Sequence, residues 1–278
     1  MGTAEDFSLA PQIEEHYATV DEEGRLDKPR GTVEFLRTME IIGRFLPPPP
    51  AHILDVGGGP GRYALELQEA GYVVELVDAL EAHVTQAKAA GVRLATVGDA
   101  RKIRLSDAAV DAVLLLGPLY HLTERSDRVR AWREAARVVR PNGVVIGAAI
   151  SRFASLIDGL NLGLLADPGF VAIVDEDLRT GQHRNPEQHE KWFTTAYFHH
   201  SDELSPEMTE GGLEPELVAA VEGPAQTVGP ALDEWLADPQ LRGTLLAFLA
   251  EVETEPATIG FTGHLLAVGR RPSSGTVL

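Results

Sequence analysis

The stretch of this sequence best suited to chemistry is a cluster of glycines that directly follows a short apolar run. Four of the five positions from 57 to 61 are glycine, and Asp55 stands two residues before the first of them. Glycine adopts backbone angles that other residues avoid, and it lets a ligand approach the main chain closely. A helical pattern follows, and the unpaired N–H groups at its start would face the same turn. The stretch therefore predicts a strand, a turn and a helix that together bind a nucleotide.

The spacing of the glycines separates the common nucleotide-binding turns. A dinucleotide-binding turn requires G-x-G-x-x-G, which fails at Arg62 when counted from Gly57 and at Pro60 when counted from Gly58. A P-loop is excluded because no Lys-Ser or Lys-Thr follows the glycines. The pattern that remains is an acidic residue followed by three alternate glycines: Asp55, Gly57, Gly59 and Gly61.

This pattern resembles the first motif of class I S-adenosylmethionine-dependent methyltransferases, and the likeness extends over about residues 53–150. Glycine-rich turns also occur for structural reasons, so the interpretation depends on the strand ends that follow. Asp78 ends the second predicted strand, 17 residues after Gly61. A carboxylate there can accept hydrogen bonds from both ribose hydroxyls, as in dinucleotide folds. The alternative is that Asp78 caps the next helix.

The resemblance implies further cofactor contacts at the ends of the third and fourth strands. There Asp99 would accept from the adenine amine and the Ala100 N–H would donate to the ring, while the turn at Gly117 would meet the methionine ammonium. In many such enzymes an N-terminal segment closes over the methionine end, and its Tyr and Arg side chains could contact the carboxylate; the alternative is ordinary exposed charge on a surface helix. The predicted cofactor-binding residues are Asp55, Gly57, Gly59, Gly61, Asp78, Ala79, Asp99, Ala100, Leu116, Gly117, Tyr17, Arg30 and Arg37.

Methyl transfer is an in-line displacement, so the protein must align the acceptor and, for a hydroxyl, remove a proton. His121 lies just past the fourth strand, and an ordinary histidine pKa near 6.5 suits a base, although it could equally just line the pocket. The predicted substrate-pocket residues are Tyr120, His121, Tyr197, His199 and His200. Neighbours on an extended chain point in opposite directions, so His199 and His200 suggest a metal only weakly, and no metal site is expected.

Alternation of strand and helix patterns predicts the elements that position these residues. The expected fold is α/β: a Rossmann-like, seven-stranded, mostly parallel sheet with helices on both faces. The family implies that the last strand is antiparallel. We divide the chain into an N-terminal helical lid (1–50), the cofactor-binding core (51–151), a cap insertion over the substrate pocket (152–195) and a return to the core (196–278). The alternative for the insertion is a helix pair that covers a sheet edge.

Composition limits the acceptor and the setting. The chain of 278 residues has 24 basic and 42 acidic residues, a net charge of −18, and no cysteine, which excludes disulfides and thiolate metal sites. This charge repels phosphate backbones and anionic membranes, and Gly117-Pro118-Leu119-Tyr120 stands where nucleobase amino-methylases carry an NPPY-type tetrad. We therefore expect a small-molecule substrate, no nucleic acid and no membrane. The start lacks a signal-peptide pattern, which favours a cytoplasmic protein, and a homodimer is left open.

The leading hypothesis is a methyltransferase of the ubiquinone/menaquinone-biosynthesis-like type 11 branch, which uses S-adenosylmethionine to methylate an O, N or C atom of a small molecule. Two alternative hypotheses require the same cofactor-binding turn. One is an enzyme that uses the fold for a reaction other than methylation, such as a cyclisation. The other is a cofactor-binding sensor or scaffold without turnover.

Overall fold

A computed structural model describes residues 11–19, 28–186, 189, 192–229 and 231–273. The remainder of the predicted N-terminal lid, residues 1–10 and 20–27, lies outside the described residues. The strands are β1 (His52–Val56), β2 (Val73–Asp78), β3 (Leu94–Val97), β4 (Val110–Leu115), β5 (Val139–Ser151), β6 (Gln182–His183), β7 (Ala196–His199), β8 (Glu214–Ala220) and β9 (His264–Arg270).

The helices fill the intervals between these strands. They are α1 (Pro11–Thr19), α2 (Pro29–Phe45), α3 (Arg62–Glu69), α4 (Glu81–Ala90), α5 (Pro118–His121), α6 (Arg125–Val138), α7 (Ala154–Leu162), α8 (Pro168–Thr180), α9 (Ser201–Glu210), α10 (Ala231–Ala237), α11 (Pro239–Val252) and α12 (Pro256–Ile259). None of the helices within the described ranges has both the length and the apolar character needed to cross a bilayer.

The sheet confirms the predicted fold class. Its main order is β3-β2-β1-β4-β5-β9-β8, in which β1 to β5 are parallel, and β9 is antiparallel to both β5 and β8. The antiparallel last strand implied by the family is therefore present. Two short strands go beyond the expected seven: β7 pairs with the end of β5, and β6 pairs with β7.

Burial of both sheet faces explains why the central strands read as apolar runs. One face packs against α2, α3 and α4 through residues such as Ile41, Leu67 and Val84. The other face packs against α6 and α9, where Trp132 is fully buried. Parallel sheets require such cover on both sides. Gly147 on β5 makes room for the Trp132 ring, because a Cβ there would collide with it.

The order of the strands fixes where a ligand can enter. After β3 the chain crosses over to β4 on the opposite side of β1, so the carboxyl ends of β1 and β4 diverge into a crevice. Ligands of open α/β sheets bind in this crevice, at the point where the strand order reverses. The loops that follow β1, β2, β3 and β4 all open into it, and they carry most of the predicted site residues.

The predicted insertion is a helical unit with a small core of its own. Helices α7 and α8 follow β5, and Phe170, Ile173, Val174 and Trp192 pack together between them and the chain that follows. Asp167 caps α8 by accepting a hydrogen bond from the Gly169 N–H. From this unit, residues of α7 and α8 reach the crevice beside β5.

Candidate functional site

A cavity of about 640 Å³ occupies the crevice at the carboxyl ends of the strands. Its volume lies within the range of ordinary small-molecule sites. It runs from the glycine turn after β1, past the ends of β2, β3 and β4, to the starts of α7 and β9. Of the predicted site residues, those that line it are Tyr17, Gly57, Gly59, Asp78, Ala79, Asp99, Ala100, Leu116, Gly117, Tyr120 and His121.

The glycine turn has the geometry that the sequence predicts. Gly57, Gly59 and Gly61 all have positive φ, at 71°, 56° and 99°. A Cβ on Gly57 would lie 2.6 Å from Cδ of Pro118, and one on Gly117 would lie 2.5 Å from the Gly57 carbonyl oxygen. The loops after β1 and β4 therefore touch. Gly59 differs, since a Cβ there would meet no atom within 4 Å, and this open space is a cradle for a ligand.

Asp78 accepts backbone hydrogen bonds both from the glycine turn and from the residue that precedes α4. One carboxylate oxygen accepts from the Gly59 N–H at 2.9 Å, and the other accepts from the Leu80 N–H at 2.8 Å, at the start of α4. His83 lies 3.2 Å from the second oxygen. The carboxylate thus holds the glycine turn and caps a helix while it borders the cavity. The first oxygen, whose one partner among the described residues is the Gly59 N–H, keeps a further lone pair for a hydroxyl donor of a ligand.

Asp99 is paired with an arginine that the sequence interpretation missed. Arg101 donates to both Asp99 oxygens, at 2.9 and 2.7 Å, and also to Asp127 at 2.8 Å. The fixed guanidinium fork orients the Asp99 carboxylate at the cavity edge. Arg101 stands two residues after Asp99, so an ion pair between the two could have been predicted from the sequence.

Asp55 and Gly61 support the turn from behind and do not line the cavity. Gly61 caps α3 and packs closely against Val92. Asp55 is completely buried, and among the described residues neither of its carboxylate oxygens has a hydrogen-bond partner. Burial, reinforced by the nearby Asp78 carboxylate, raises the pKa of Asp55 to about 7.

Asp55→Asn is expected to make the protein less sensitive to a rise in pH toward neutrality. The folded-state pKa of Asp55 lies above its unfolded value of 3.8, so wild type loses stability as pH rises from about 4 to about 7, and the loss levels off above the folded value. The variant carries no such charge, and its free energy of unfolding relative to wild type should rise between pH 5 and pH 8, by roughly 2–3 kcal/mol. Urea denaturation at both pH values measures this. A difference that stays constant with pH would contradict the assignment.

His121 lies between α1 and the backbone before β7. Its Nε2 is 2.8 Å from the Tyr17 hydroxyl, and its Nδ1 is 3.3 Å from the Thr195 carbonyl oxygen. The carbonyl can only accept, so Nδ1 carries the proton and Nε2 accepts from the tyrosine. Burial lowers the pKa of His121 to about 4. The imidazole is therefore neutral near pH 7, and both of its nitrogens are already hydrogen-bonded.

Five predicted site residues lie elsewhere. Arg37 is fully buried between Glu40 and Glu253, and Arg30 pairs with Asp158 at 3.7 Å toward the far end of the cavity. Both belong to α2, and neither lines the cavity.

The other three predicted residues belong to the segment around β7. Tyr197 stacks against the Arg128 guanidinium at 3.7 Å and donates to Glu203. His199 is 1 % exposed and lies 3.5 Å from Glu207. His200 caps α9, with its own N–H donating to Glu203 at 2.7 Å. These side chains stabilise the packing of α6 and α9 and do not face the cavity.

The far end of the cavity carries polar residues that the sequence interpretation missed. Glu34 on α2, Asp158 on α7, Gln226 and His264 all line it, and the buried Glu222 contacts His264. His264 begins β9 and pairs with Ile150 at the end of β5. An antiparallel last strand must start at the edge of the sheet where the parallel strands end. The family's topology could therefore have predicted that His264, its first residue, lies at the cavity.

Comparisons with known proteins agree with this arrangement. Residues 54–147 match the type 11 family model described as a methyltransferase domain. An uncharacterised methyltransferase of Mycobacterium tuberculosis and one of Mycobacterium bovis are each 37 % identical to this chain over 105 residues, 37 % of this chain and 42 % of the relative. The chain thus spans about two fifths of the length of these relatives.

Solved structures share the fold across a larger part of the chain. A S-adenosylmethionine-dependent methyltransferase of Methanosarcina mazei aligns with a TM-score of 0.56 at 18 % identity, over 84 % of this chain and 98 % of that one. One of Mesorhizobium loti aligns with a TM-score of 0.55 at 18 % identity, over 84 % and 98 %. The [4+2]-cyclase SpnF aligns with a TM-score of 0.54 at 18 % identity, over 87 % and 81 %. Residues 54–147 thus match a methyltransferase-domain model, and the chain shares its fold with solved S-adenosylmethionine-dependent methyltransferases.

Proposed function

We propose that this chain transfers a methyl group from S-adenosylmethionine to a small molecule, at an O, N or C atom. The observation that carries the proposal is the single cavity that joins the glycine turn and the ends of β2, β3 and β4 to a separate polar end at α7 and β9. One half suits the cofactor and the other an acceptor. The net charge of −18 favours a small molecule over a nucleic acid. A cytoplasmic location and a homodimer stay predictions.

The residues present fit this cofactor. The open space above Gly59 would admit it, Asp78 would hold the ribose hydroxyls, and the Asp99–Ala100 edge would hold the adenine. Leu116 and Gly117 would border the methionine end. When bound, the cofactor supplies an electrophilic methyl group on a sulfonium. The protein's own task is to orient the acceptor, exclude water and take up any proton that the acceptor loses.

Helix α1 supports the proposed lid. Tyr17 reaches from α1 to His121 and lies edge-on against His83, so α1 covers the cavity where β2 and β4 end. Thr194 donates to the Gln12 carbonyl oxygen and holds the same helix from the other side. We propose that His121 positions Tyr17, because a histidine with a pKa of about 4 retains little basicity for removing a proton.

Tyr17→Phe is expected to loosen this lid without unfolding the protein. The change removes one hydrogen bond, of about 0.5–1.5 kcal/mol, between α1 and His121. We expect amide exchange in residues 11–19 to accelerate about threefold to tenfold and cofactor affinity to fall by a similar factor. Tyr72→Phe is the matched control, since its hydroxyl donates to the Pro47 carbonyl oxygen outside the cavity. Equal effects of the two variants would contradict a lid role.

The proposed function is tested by incubating the protein with methyl-labelled S-adenosylmethionine and a panel of phenols, amines, carboxylates and activated carbon acids. Formation of S-adenosylhomocysteine together with a labelled product supports methyl transfer. The likeness to a cyclase gives the second candidate, a reaction other than methylation. Calorimetric binding of the cofactor without any product across the panel would favour that reading or a sensor. No cofactor binding would overturn the proposal.

A further inference from the structure

A second constellation of polar groups lies at the far end of the cavity, away from the glycine turn. Glu34 comes from α2, Glu222 follows β8, and His264 begins β9. One ligand atom from each, two carboxylate oxygens and an imidazole nitrogen, lie within 4.8 Å of one another. We propose that these three residues, the acid–histidine cluster, bind a divalent metal ion.

The fold holds Glu222 in the orientation that a ligand requires. Its side chain is 3 % exposed, and one carboxylate oxygen accepts from the Thr262 hydroxyl at 3.1 Å and from the His264 backbone N–H at 3.0 Å. The other oxygen contacts Nδ1 of His264. Metal ligands are typically fixed by such outer hydrogen bonds, which lower the cost of ordering the site. The first oxygen is therefore anchored and the second faces the cluster.

Glu34 completes the set from the opposite wall. Its carboxylate lies 3.8 Å from Nδ1 of His264, and its side chain is 12 % exposed. Three ligands from α2, the β8 end and β9 converge because the carboxyl end of β8 and the start of β9 meet at one edge of the sheet. Neither sequence proximity nor a helical repeat produces this convergence.

Independent support comes from Gln226 and the nearby charges. Gln226 is 8 % exposed, lines the same cavity against Gly263, and its amide oxygen has no hydrogen-bond partner among the described residues. A buried acceptor of this kind is costly unless something donates to it or coordinates it. Asp158 lies close enough for Glu222 and His264 to influence its pKa, and it pairs with Arg30. The cavity end is thus rich in oxygen ligands.

The donor set indicates the class of ion. One imidazole nitrogen with two carboxylate oxygens suits Zn²⁺, Co²⁺ or Mn²⁺, and the two carboxylates balance the double charge. Glu34 and His264 both line the cavity, which leaves the remaining coordination positions open to an oxygen atom of a bound molecule.

The test uses the untagged full chain and does not depend on methyl transfer. After treatment with chelator, the protein is titrated with Co²⁺ while the visible absorption is recorded, and with Zn²⁺ by calorimetry. We expect one equivalent of either ion to bind, with visible bands from the bound Co²⁺. His264→Gln and Glu34→Gln should each weaken binding at least tenfold.

His52→Gln is the matched control, because His52 also faces a glutamate, Glu75 at 3.7 Å, but lies outside the cavity. Its affinity for the ion should equal that of wild type. Circular dichroism and the melting temperature show whether each variant is folded, and Glu34→Gln, at a partly exposed position, is the less disruptive of the two. Absence of bound metal, or binding that survives both cluster variants, would overturn the site. Cofactor binding measured in parallel reports separately on the proposed methyltransferase function.

Discussion

Asp78→Asn is expected to weaken binding of S-adenosylmethionine by about 10- to 100-fold. The carboxylate is the proposed acceptor for the ribose hydroxyls, and hydrogen bonds to a charged group are worth about 1.5–3 kcal/mol. Asparagine keeps one acceptor oxygen but loses the charge and places an NH2 group near donors. The same carboxylate also accepts from the Gly59 N–H, so the glycine turn should loosen as well. The lost ribose acceptor and the looser glycine turn should both weaken cofactor binding.

Isothermal calorimetry with S-adenosylmethionine and S-adenosylhomocysteine measures this loss. Asp111→Asn is the matched control, because Asp111 also accepts a backbone hydrogen bond, from the His52 N–H at 2.8 Å, but lies at the start of β4, away from the cavity. Its cofactor affinity should equal that of wild type, even if its stability falls. An Asp78→Asn variant that is folded and binds with unchanged affinity would remove Asp78 from the cofactor site.

The fold and the residues that line the cavity near the glycine turn could be predicted from the sequence because their signals are local. An apolar run, alternate glycines and a helix start are consecutive, and so are β2 and Asp78 or β3 and Asp99. Parallel strands then bring all these ends to one edge without any further information. The structure places Gly57, Gly59, Asp78 and Asp99 around one cavity for that reason.

Residue type alone was a poor guide where a side chain has a buried partner. Arg37 and His199 have side chains that often bind ligands. In the interior, however, Arg37 pairs with Glu253 and His199 lies beside Glu207. Those partners stand 216 residues from Arg37 and 8 residues from His199 in the sequence, and neither pair forms a recognisable pattern. A buried charge requires a compensating one, and only the three-dimensional structure identifies it.

The polar far end of the cavity was harder to predict because its residues meet only through the topology. Glu34, Asp158, Glu222 and His264 come from four separate elements. The antiparallel last strand implied by the family was enough to place His264 at the cavity edge, and the parallel direction of β8 would have placed Glu222 beside it. The position of Glu34 could not be predicted from the sequence. It lies on α2, and the sequence does not show which face of that helix packs against the sheet.

Arg128→Met is expected to lower the free energy of unfolding at pH 7 by about 3–5 kcal/mol, the usual cost of leaving a buried charge unpaired. Arg128 is 1 % exposed, and it donates to Glu207 at 2.9 Å and to the Leu122 and Thr123 carbonyl oxygens at 3.0 Å. Burial alone would raise the pKa of Glu207, but hydrogen bonds with His199 and Arg128 hold it below its usual value. Without Arg128, Glu207 remains as a buried, uncompensated carboxylate.

The pH dependence distinguishes this mechanism from simple loss of packing. In wild type the depressed pKa of Glu207 contributes stability above its unfolded pKa, and this contribution disappears as pH falls through the folded value. In Arg128→Met the unpaired carboxylate takes up a proton more easily, so the deficit relative to wild type should shrink between pH 7 and pH 5. Chemical denaturation at both pH values measures it, and a constant deficit would indicate packing alone.

The double variant Arg128→Met/Glu207→Leu separates the effect of the unpaired Glu207 charge from the effect of lost packing. Replacing both partners by apolar groups removes the unpaired carboxylate, and most of the lost stability should return. Cofactor affinity should stay at the wild-type level in the double variant, because neither residue lines the cavity. Recovered stability with weakened cofactor binding would show that the α6–α9 pair also positions the site. A double variant as unstable as the single one would mean that Glu207 is compensated by His199 alone.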